Sequence, residues 1–501
     1  MLEHFLQGLA SSFAPYTFFM MLVGVIGGIV IGALPGMSGS MGMVLMMPLL
    51  YYLTPADALL VLAGIFCGSM YGGSISAILI STPGTPSASA TLLDGYPMTK
   101  QGKAGKALGV SVISSFAGGL FSAIGLLLIA PQLAKIALSF RAQDYFALSI
   151  FGLTIMAGSS GKNLLKGLIA GWFGLLLSTV GVDGGMGISR FTFGVPSLMG
   201  GISLLPVLIG VFALSQVIEN SETKAGAHTV VEQDLSNPWP SFSDLKRITP
   251  AVGIGSMIGL LIGIVPGTGG AISCFLAYDV TRRVYPNGKE FGTGVIEGIA
   301  APESSNNATT GGAMVPLLTL GIPGDVQTAV MLGALMLIGV RPGPQLFTEQ
   351  PEVVYTLLAG MIVIQFLILI LGLAACRVSP MILRIPDGLL NPAIVLFCVV
   401  GSYTLANSFF DVFLTLIFGC VGYLMRKFGY PGAPMVLGLI LGPMAEDHLN
   451  RALLSSRNDW STFFTRPFSC AFLVLSALSI LYALYTHFRE KKKASAESSA
   501  R

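Results

Sequence analysis

Four Pro-Gly pairs stand inside apolar sequence, and each runs on into small residues or residues bearing short polar groups. Pro35-Gly36 is followed by Met37, Ser38, Gly39 and Ser40; Pro83-Gly84 by Thr85, Pro86 and Ser87; Pro266-Gly267 by Thr268, Gly269 and Gly270; Pro323-Gly324 by Asp325, Val326, Gln327 and Thr328. Proline removes a backbone donor and clashes with the preceding turn. Glycine lets the chain leave in a left-handed or extended conformation. Each pair therefore ends a helix within an apolar stretch. A helix that restarts beyond such a break offers free N–H groups that attract anions, and the carbonyls of the ended helix attract cations. The chemistry available is reversible ion binding, with Ser, Thr and Asp doubling as ordinary N-caps.

The run Pro302-Glu303-Ser304-Ser305-Asn306-Asn307-Ala308-Thr309-Thr310-Gly311-Gly312 is the most polar one between apolar segments of the second half. An ionisable residue at membrane depth is costly and usually functional; the competing reading is a solvated surface loop. The first-half counterpart, Cys67 to Ser74, has no acid. An acid in one half only suits a coupling site for H⁺ or Na⁺. Glu303 is the first candidate for that cation site and Asp325 the second, with helix capping as the rival role for Asp325.

Bond-breaking chemistry has no such support. The four His are far apart, and the six Cys (Cys67, Cys274, Cys376, Cys398, Cys420, Cys470) form no CxxC. That argues against a nucleophile–base pair, a metal site, a haem ligand set or a disulfide framework, and leaves inert buried thiols. The chain contains no GxxxxGK[ST] loop to cradle a nucleotide. No cofactor is expected beyond a coupling ion, and an intramembrane enzyme is the weaker alternative.

The elements that must carry these residues are membrane spans. Charged residues are 10% and hydrophobic residues 53% of 501, and the mean hydropathy is +0.78; ordinary soluble domains are about 25% charged. Lipid must solvate much of such a chain. The net charge of +3 is spread out, and no basic patch with interleaved aromatics points to nucleic acid. Apolar segments of spanning length fall at 16–34, 56–81, 107–130, 143–161, 163–181 and 195–218. Others follow at 250–265, 268–280, 305–340, 352–376, 388–407, 410–425, 433–444 and 467–487. This predicts 10 to 14 membrane elements. The first segment lacks a basic n-region and an A-x-A cleavage site, so it reads as a retained span. The layout expected is a first transmembrane repeat over 1–218, a polar linker at 219–247, a second repeat over 248–450, a terminal span within 451–487 and a disordered tail at 488–501.

The repeat is visible on sliding the sequence by 231 residues, which sets Gly24, Gly28, Gly32, Pro35 and Gly36 on Gly255, Gly259, Gly263, Pro266 and Gly267. An offset of 240 then pairs Pro83-Gly84 with Pro323-Gly324. The GxxxG spacing itself reads as close helix packing. Lys246 and Arg247 precede the first span of the second half, whereas Lys100, Lys103 and Lys106 follow the second break of the first half. The positive-inside rule then sets the halves in opposite orientations, and Lys491 to Lys493 argue for a cytoplasmic C-terminus. The expected fold is an all-α polytopic membrane protein of two inverted-topology repeats, with discontinuous helices and re-entrant hairpins.

At these residues the sequence resembles the large membrane (TctA) subunit of the tripartite tricarboxylate transporter family. The matching motifs are GALPGMSGSMG at 32–42, YGGSISAILISTPGTPSASATLLDGYPM at 71–98, GIVPGTGG at 263–270 and EGIAAPESSNNATTGGAMVPLLTLGIPGD at 297–325. The resemblance implies a bacterial inner-membrane subunit working with a small four-span membrane subunit and a periplasmic solute-binding protein. It implies import of carboxylates such as citrate on an ion gradient. A stand-alone anion carrier without a binding protein is the closest alternative, and a homo-oligomer is left open. Breaks and resemblance together place the substrate against Pro35, Gly36, Ser38, Gly39, Pro83, Gly84, Thr85, Pro266, Gly267, Thr268, Gly269, Asn306, Pro323 and Gly324, with Glu303 or Asp325 holding the cation. Arg341 is the nearest arginine and reads as interfacial.

Overall fold

The structure, a computed structural model, describes residues 2–158, 164–183, 187–222, 235, 238–267, 269–383, 385 and 387–481. Residues 223–234, 236 and 237 of the expected linker and all of the expected tail, including Lys491 to Lys493, lie outside these residues. The chain is almost wholly helical: α1 (Leu2–Ser12), α2 (Pro15–Ala33), α3 (Gly39–Leu50), α4 (Pro55–Ile80), α5 (Leu92–Lys100), α6 (Ala104–Ala137), α7 (Ala142–Gly158), α8 (Leu164–Ser178), α9 (Leu204–Leu208), α10 (Ser215–Glu222), α11 (Phe242–Ile264), α12 (Gly269–Val284), α13 (Glu297–Leu320), α14 (Val326–Leu337), α15 (Leu346–Glu349), α16 (Pro351–Ile382), α17 (Asp387–Ala406), α18 (Phe409–Lys427) and α19 (Gly432–Ser455). A π-helical segment, Ile209–Leu214, joins α9 to α10. Among the described residues, seven helices are long and apolar enough to cross a membrane. The protein is a multi-pass all-α membrane protein whose described strands are two residues each, Gly181–Val182 and Ser189–Arg190.

Glycine determines how the core helices meet. A Cβ built on Gly24, Gly28 or Gly32 of α2 would stand 2.5, 2.6 and 2.4 Å from the carbonyl oxygens of Val61, Ile65 and Ser69 of α4. Both series ascend together, so α2 and α4 run parallel, and α3 must return the chain between them. The same holds for α11 and α13, where Cβ atoms on Gly259 and Gly263 would stand 2.2 and 2.8 Å from the carbonyl oxygens of Ser305 and Thr309. The GxxxG reading as close packing is thus correct. Further glycine contacts set α16 parallel to α4 (Gly360 on Leu60, Gly372 on Tyr71) and α6 parallel to α13 (Gly118 on Ser304, Ser122 on Gly311).

Where α4 and α13 cross, the order reverses. The Cys67 thiol donates to Thr310 Oγ1 at 3.5 Å, and Asn306 Nδ2 donates to the Met70 carbonyl at 2.9 Å. The bundle of α2, α4 and α16 therefore runs opposite to that of α11, α13 and α6. Consistently, Lys106 pairs with Asp244 at 2.7 Å at one end, while His4 stacks on Tyr355 with centroids 5.5 Å apart at the other.

Helix α13 corrects the surface-loop alternative for residues 302–312, because every one of its residues from Glu297 to Thr319 is buried. All but one of its hydroxyls bond within the helix: Ser304 donates to Ala301 O, Thr309 to Ser305 O, Thr310 to Asn307 O and Thr319 to Val315 O, while Ser305 Oγ has no partner among the described residues. Its small side chains admit neighbours on all sides. Other boundaries shift as well. The stretch 305–340 is cut into the end of α13 and α14, 195–218 becomes the helix beginning at Leu204, and α3 fills a gap that hydropathy left empty.

The outer helices exchange partners. The rod formed by α9, the π segment and α10 packs on α18 and α17, whereas α19 packs on α7 and α8.

Single cysteines at Lys103 and Glu349, in a background with Cys420 and Cys470 replaced by serine, are expected to react with an impermeant maleimide from opposite faces of the membrane. Labelling of both from one face would overturn the opposed bundles. Gly28→Val is expected to destabilise the detergent-solubilised protein by about 1–3 kcal/mol through overpacking against Ile65, read as a lowered melting temperature.

Candidate functional site

The four breaks are of two kinds. The first kind follows α2 and α11. Gly36 and Gly267 adopt φ of +80° and +82°, a left-handed turn that disfavours any side chain. Ser38 then caps α3, its hydroxyl accepting from the Met41 N–H at 3.2 Å, and α12 begins at Gly269. The second kind follows α4 and α13. Their C-caps, Ser81 and Gly321, are left-handed at φ 58° and 71°, and Pro83 and Pro323 come two residues later, where the chain cannot resume the helix. Gly84 N–H donates to Gly73 O at 3.1 Å. Gly267 N–H donates to Gly324 O at 2.7 Å, which ties the two second-half breaks together.

All four breaks meet at one cavity of about 310 Å³ lined by Ser38, Gly39, Ser40, Met70, Thr85, Ser87, Gly267, Gly269, Gly270, Asp325 and Gln327. Helices α3, α12 and α14 begin at this wall, so their first N–H groups and positive dipole ends converge on it. Among the described residues, two buried side-chain oxygens at this site have no hydrogen-bond partner: Gln327 Oε1 on this wall and Asn306 Oδ1 behind Gly270. Buried polar atoms are ordinarily satisfied, so Gln327 Oε1 leaves an acceptor open beside the cavity. An adjoining cavity of about 480 Å³ shares Ser38, Ser40 and Thr85 and extends past Gly36, Pro83 and Gly84 to Gln216, Arg426 and the segment Tyr430–Ala433. A larger one of about 670 Å³ is lined by Asp183, Arg190 and Glu446 and touches none of the breaks; Arg190 there spans both Glu446 oxygens at 2.9 and 3.1 Å.

Glu303 lies apart from these linings. Its carboxylate is wholly buried and met by hydroxyls from the other half of the chain: Thr91 Oγ1 donates to one oxygen, and Ser111 and Ser115 donate to the other at 3.1 and 3.0 Å. Ser74 and Ser111 share a hydrogen bond of 2.7 Å behind them. Nearby, Asp94 performs a structural task. One of its oxygens accepts from the backbone N–H of Gly292, Gly294 and Val295 at 2.9, 2.8 and 2.9 Å, and the other accepts from the Tyr278 hydroxyl at 2.8 Å. This pins α5, beside Thr91, to the turn that opens α13.

Of the residues expected around a substrate, Gly36, Ser38, Gly39, Pro83, Gly84, Thr85, Gly267 and Gly269 line one or both joined cavities. Pro35, Pro266, Pro323 and Gly324 form the turns without entering either lining. Asn306 stands behind Gly270, where a Cβ would lie 3.1 Å from its Oδ1. Thr268 is outside the described residues. The two acids separate: Asp325 faces the cavity and Glu303 does not. Asp325 is also committed to capping, since its Oδ1 accepts from Thr328 N–H at 2.8 Å and Thr328 Oγ1 accepts from Asp325 N–H at 2.8 Å.

The arginine beside the breaks is Arg426, not Arg341. An Arg-Lys pair ending an apolar helix reads as an interfacial anchor, so Arg426 carried no signal. Pro431-Gly432 is a further Pro-Gly pair on the cavity wall, and the dipeptide rule applied to the other four would have flagged it.

Comparison with known proteins agrees with the motif resemblance. The profile described as "Tripartite tricarboxylate transporter TctA family" matches residues 18–437. An uncharacterized 52.8 kDa protein in the TAR-I ttuC' 3'region of Agrobacterium vitis is 36% identical over 485 residues, covering 97% of this chain and 96% of that protein. An uncharacterized protein in the TAR-II ttuC' 3'region of the same organism is 39% identical over 234 residues, covering 47% of this chain and 97% of its own length. No solved structure matches the chain.

Asp325→Ala is expected to lose about 1 kcal/mol of stability through loss of the α14 cap, whereas Asp325→Asn, an equally good cap, keeps it. Melting of the purified variants in detergent separates the two. Equal melting temperatures for both variants would remove the capping role.

Proposed function

The chain belongs to the tripartite tricarboxylate transporter TctA family, and from that premise we propose that it is the large permease subunit of a binding-protein-dependent secondary transporter. It imports tricarboxylates or related carboxylates across a bacterial inner membrane, driven by an ion gradient. It works beside a small four-span membrane subunit and a periplasmic solute-binding protein, and it performs no covalent chemistry.

The observation that carries this reading is the convergence of four helix breaks on one cavity. Substrate carboxylates sit against the N-termini of α3, α12 and α14, with the hydroxyls of Ser38, Thr85 and Ser87 adding donors. Backbone groups freed at membrane depth are tolerated where they line such a cavity. The opposed bundles support an inverted duplication, with α2–α3 and α11–α12 as re-entrant hairpins entering from opposite faces. Transporters of this design bind near the midplane and expose the site alternately by rigid-body movement. Lys100, Lys103 and Lys106 before and in the first turn of α6 and Lys246 and Arg247 in the first turns of α11 support a cytoplasmic placement of that end by the positive-inside rule, and Lys491 to Lys493 support the same for the C-terminus.

Glu303 is the better coupling residue. Asp325 is occupied as a cap, whereas the Glu303 carboxylate and its hydroxyls form an all-oxygen cluster suited to a proton or to Na⁺. Because Thr91 and Ser111 come from the first half and Glu303 from the second, loading of this cluster reports on how the halves are set against one another.

Gly36→Val or Gly267→Val, each forcing a β-branched residue to positive φ, is expected to abolish carboxylate uptake by the reconstituted complex while membrane insertion persists. Normal uptake by both variants refutes the site. Glu303→Gln is expected to lose accumulation driven by an imposed Na⁺ or pH gradient while retaining exchange of labelled for unlabelled substrate. Gradient-driven accumulation at the wild-type rate removes Glu303 from coupling.

A further inference from the structure

Among the described residues, Arg426 is the one cationic side chain in the lining of the two joined cavities. It stands in the last turn of α18 with its side chain 30% exposed, and its guanidinium donates to Gln216 Oε1 and, at 3.2 Å, to Glu219 Oε2. Gln216 Nε2 in turn donates to Asn220 Oδ1 at 3.0 Å, and Asn220 Nδ2 donates to the carbonyl of Gly36 at 3.3 Å. A continuous polar chain thus leads from Arg426 along α10 to the first break. Asn220 also fills the space a Cβ on Gly36 would need, its amide atoms lying 3.1 Å from that position. The π segment Ile209–Leu214 immediately precedes this face of α10, and its Val211 and Phe212 are on the same cavity wall.

We propose that Arg426 reads the charge of the transported anion: a substrate carboxylate leaving the four-break cavity takes the place of Glu219 on the guanidinium. The inference rests on the carboxylate-transport reading above. The central cavity supplies hydroxyls and backbone N–H groups, which accept any small anion. A guanidinium presents a planar fork matched to a carboxylate, so it discriminates among anions by the number of carboxylates they carry. Glu219 takes one guanidinium nitrogen at 3.2 Å, and exchanging that carboxylate for the substrate's keeps the arginine paired throughout. Loss of Glu219 from Arg426 also loosens Gln216 and Asn220, and with them the contact on Gly36, so occupancy of the arginine is passed to the break.

The test uses the purified full-length chain in detergent, with citrate, succinate and acetate as probes, each binding constant taken from ligand-dependent thermal stabilisation. Arg426→Ala is expected to weaken citrate binding roughly tenfold or more, the range of a lost charge-assisted hydrogen bond, and to shrink the preference for citrate over acetate. Arg426→Lys restores part of both. Glu219→Gln, which removes the competing carboxylate, is expected to tighten citrate binding. Opposite signs for Arg426→Ala and Glu219→Gln support the proposal. A purely structural tie between α18 and α10 would lower the ligand-free melting temperature in both variants and leave the binding constants alone, which overturns it. If citrate binding survives Arg426→Ala but is lost in Gly36→Val, the arginine role fails and the four-break site stands. If none of the three anions protects the wild type, the carboxylate reading fails and this inference falls with it.

Discussion

The crossing of α4 and α13 is the contact on which the remaining architecture depends. These two helices are buried along nearly their whole length, and each ends in a left-handed cap followed by Pro-Gly. Because they cross in opposite senses, their broken ends approach from opposite sides. Their glycine-bearing partners α2 and α11 must then deliver the other two breaks to the same place. No single side chain creates the cavity. It follows from two helices lying backbone to backbone on their neighbours, at distances that leave no room for a Cβ. Apolar burial cannot drive such association within lipid, where tails are as apolar as leucine; close packing and internal hydrogen bonds must. That accounts for a helix as polar as α13 at the centre of a hydrophobic protein.

Buried carboxylates divide the labour around this crossing. Asp94 meets three backbone N–H groups and a phenol, and its role is to hold α5 against the entrance of α13. Asp144 does the same elsewhere, receiving Arg466 at 2.7 Å and Ser469 N–H at 3.0 Å. Asp325 caps a helix at the cavity wall. Glu303 differs from all three, since its partners are hydroxyls that can rotate and exchange donor for acceptor roles. A carboxylate surrounded by adjustable groups is suited to gaining and losing a cation, whereas one fixed by backbone N–H groups is suited to staying as it is.

Much of this was legible in the residues themselves. The Pro-Gly pairs, the GxxxG spacing and the offsets of 231 and 240 are local patterns with local causes, so they marked the breaks and the close contacts correctly. Hydropathy failed where helices are not solvated by lipid. Residues 302–312 look like a loop because their polarity is matched by other helices, which composition does not register. The helix α3, 12 residues long, fell below spanning length. Arg426 and Asp94 were invisible for another reason: each acts on residues far away in the chain, Arg426 on Gln216 and Asp94 on Gly292, and nothing near either position announces its partner.

The exchange of outer helices between halves bears on how the protein is made. Helices α7 and α8 emerge early, but the surface of α8 that carries Gly171 and Gly174 is shaped to receive α19, with a Cβ on Gly174 standing only 1.9 Å from the Met435 carbonyl. That surface stays without its partner until nearly the whole chain has been synthesised. Chains generally acquire structure from the N-terminus as they are translated, yet here the first half cannot close by itself, and the second half completes it only by surrendering its own last long helix. Closure of this part of the bundle therefore waits on the late helix α19, and a chain ending before it leaves the glycine-bearing surface of α8 without the partner it is shaped for.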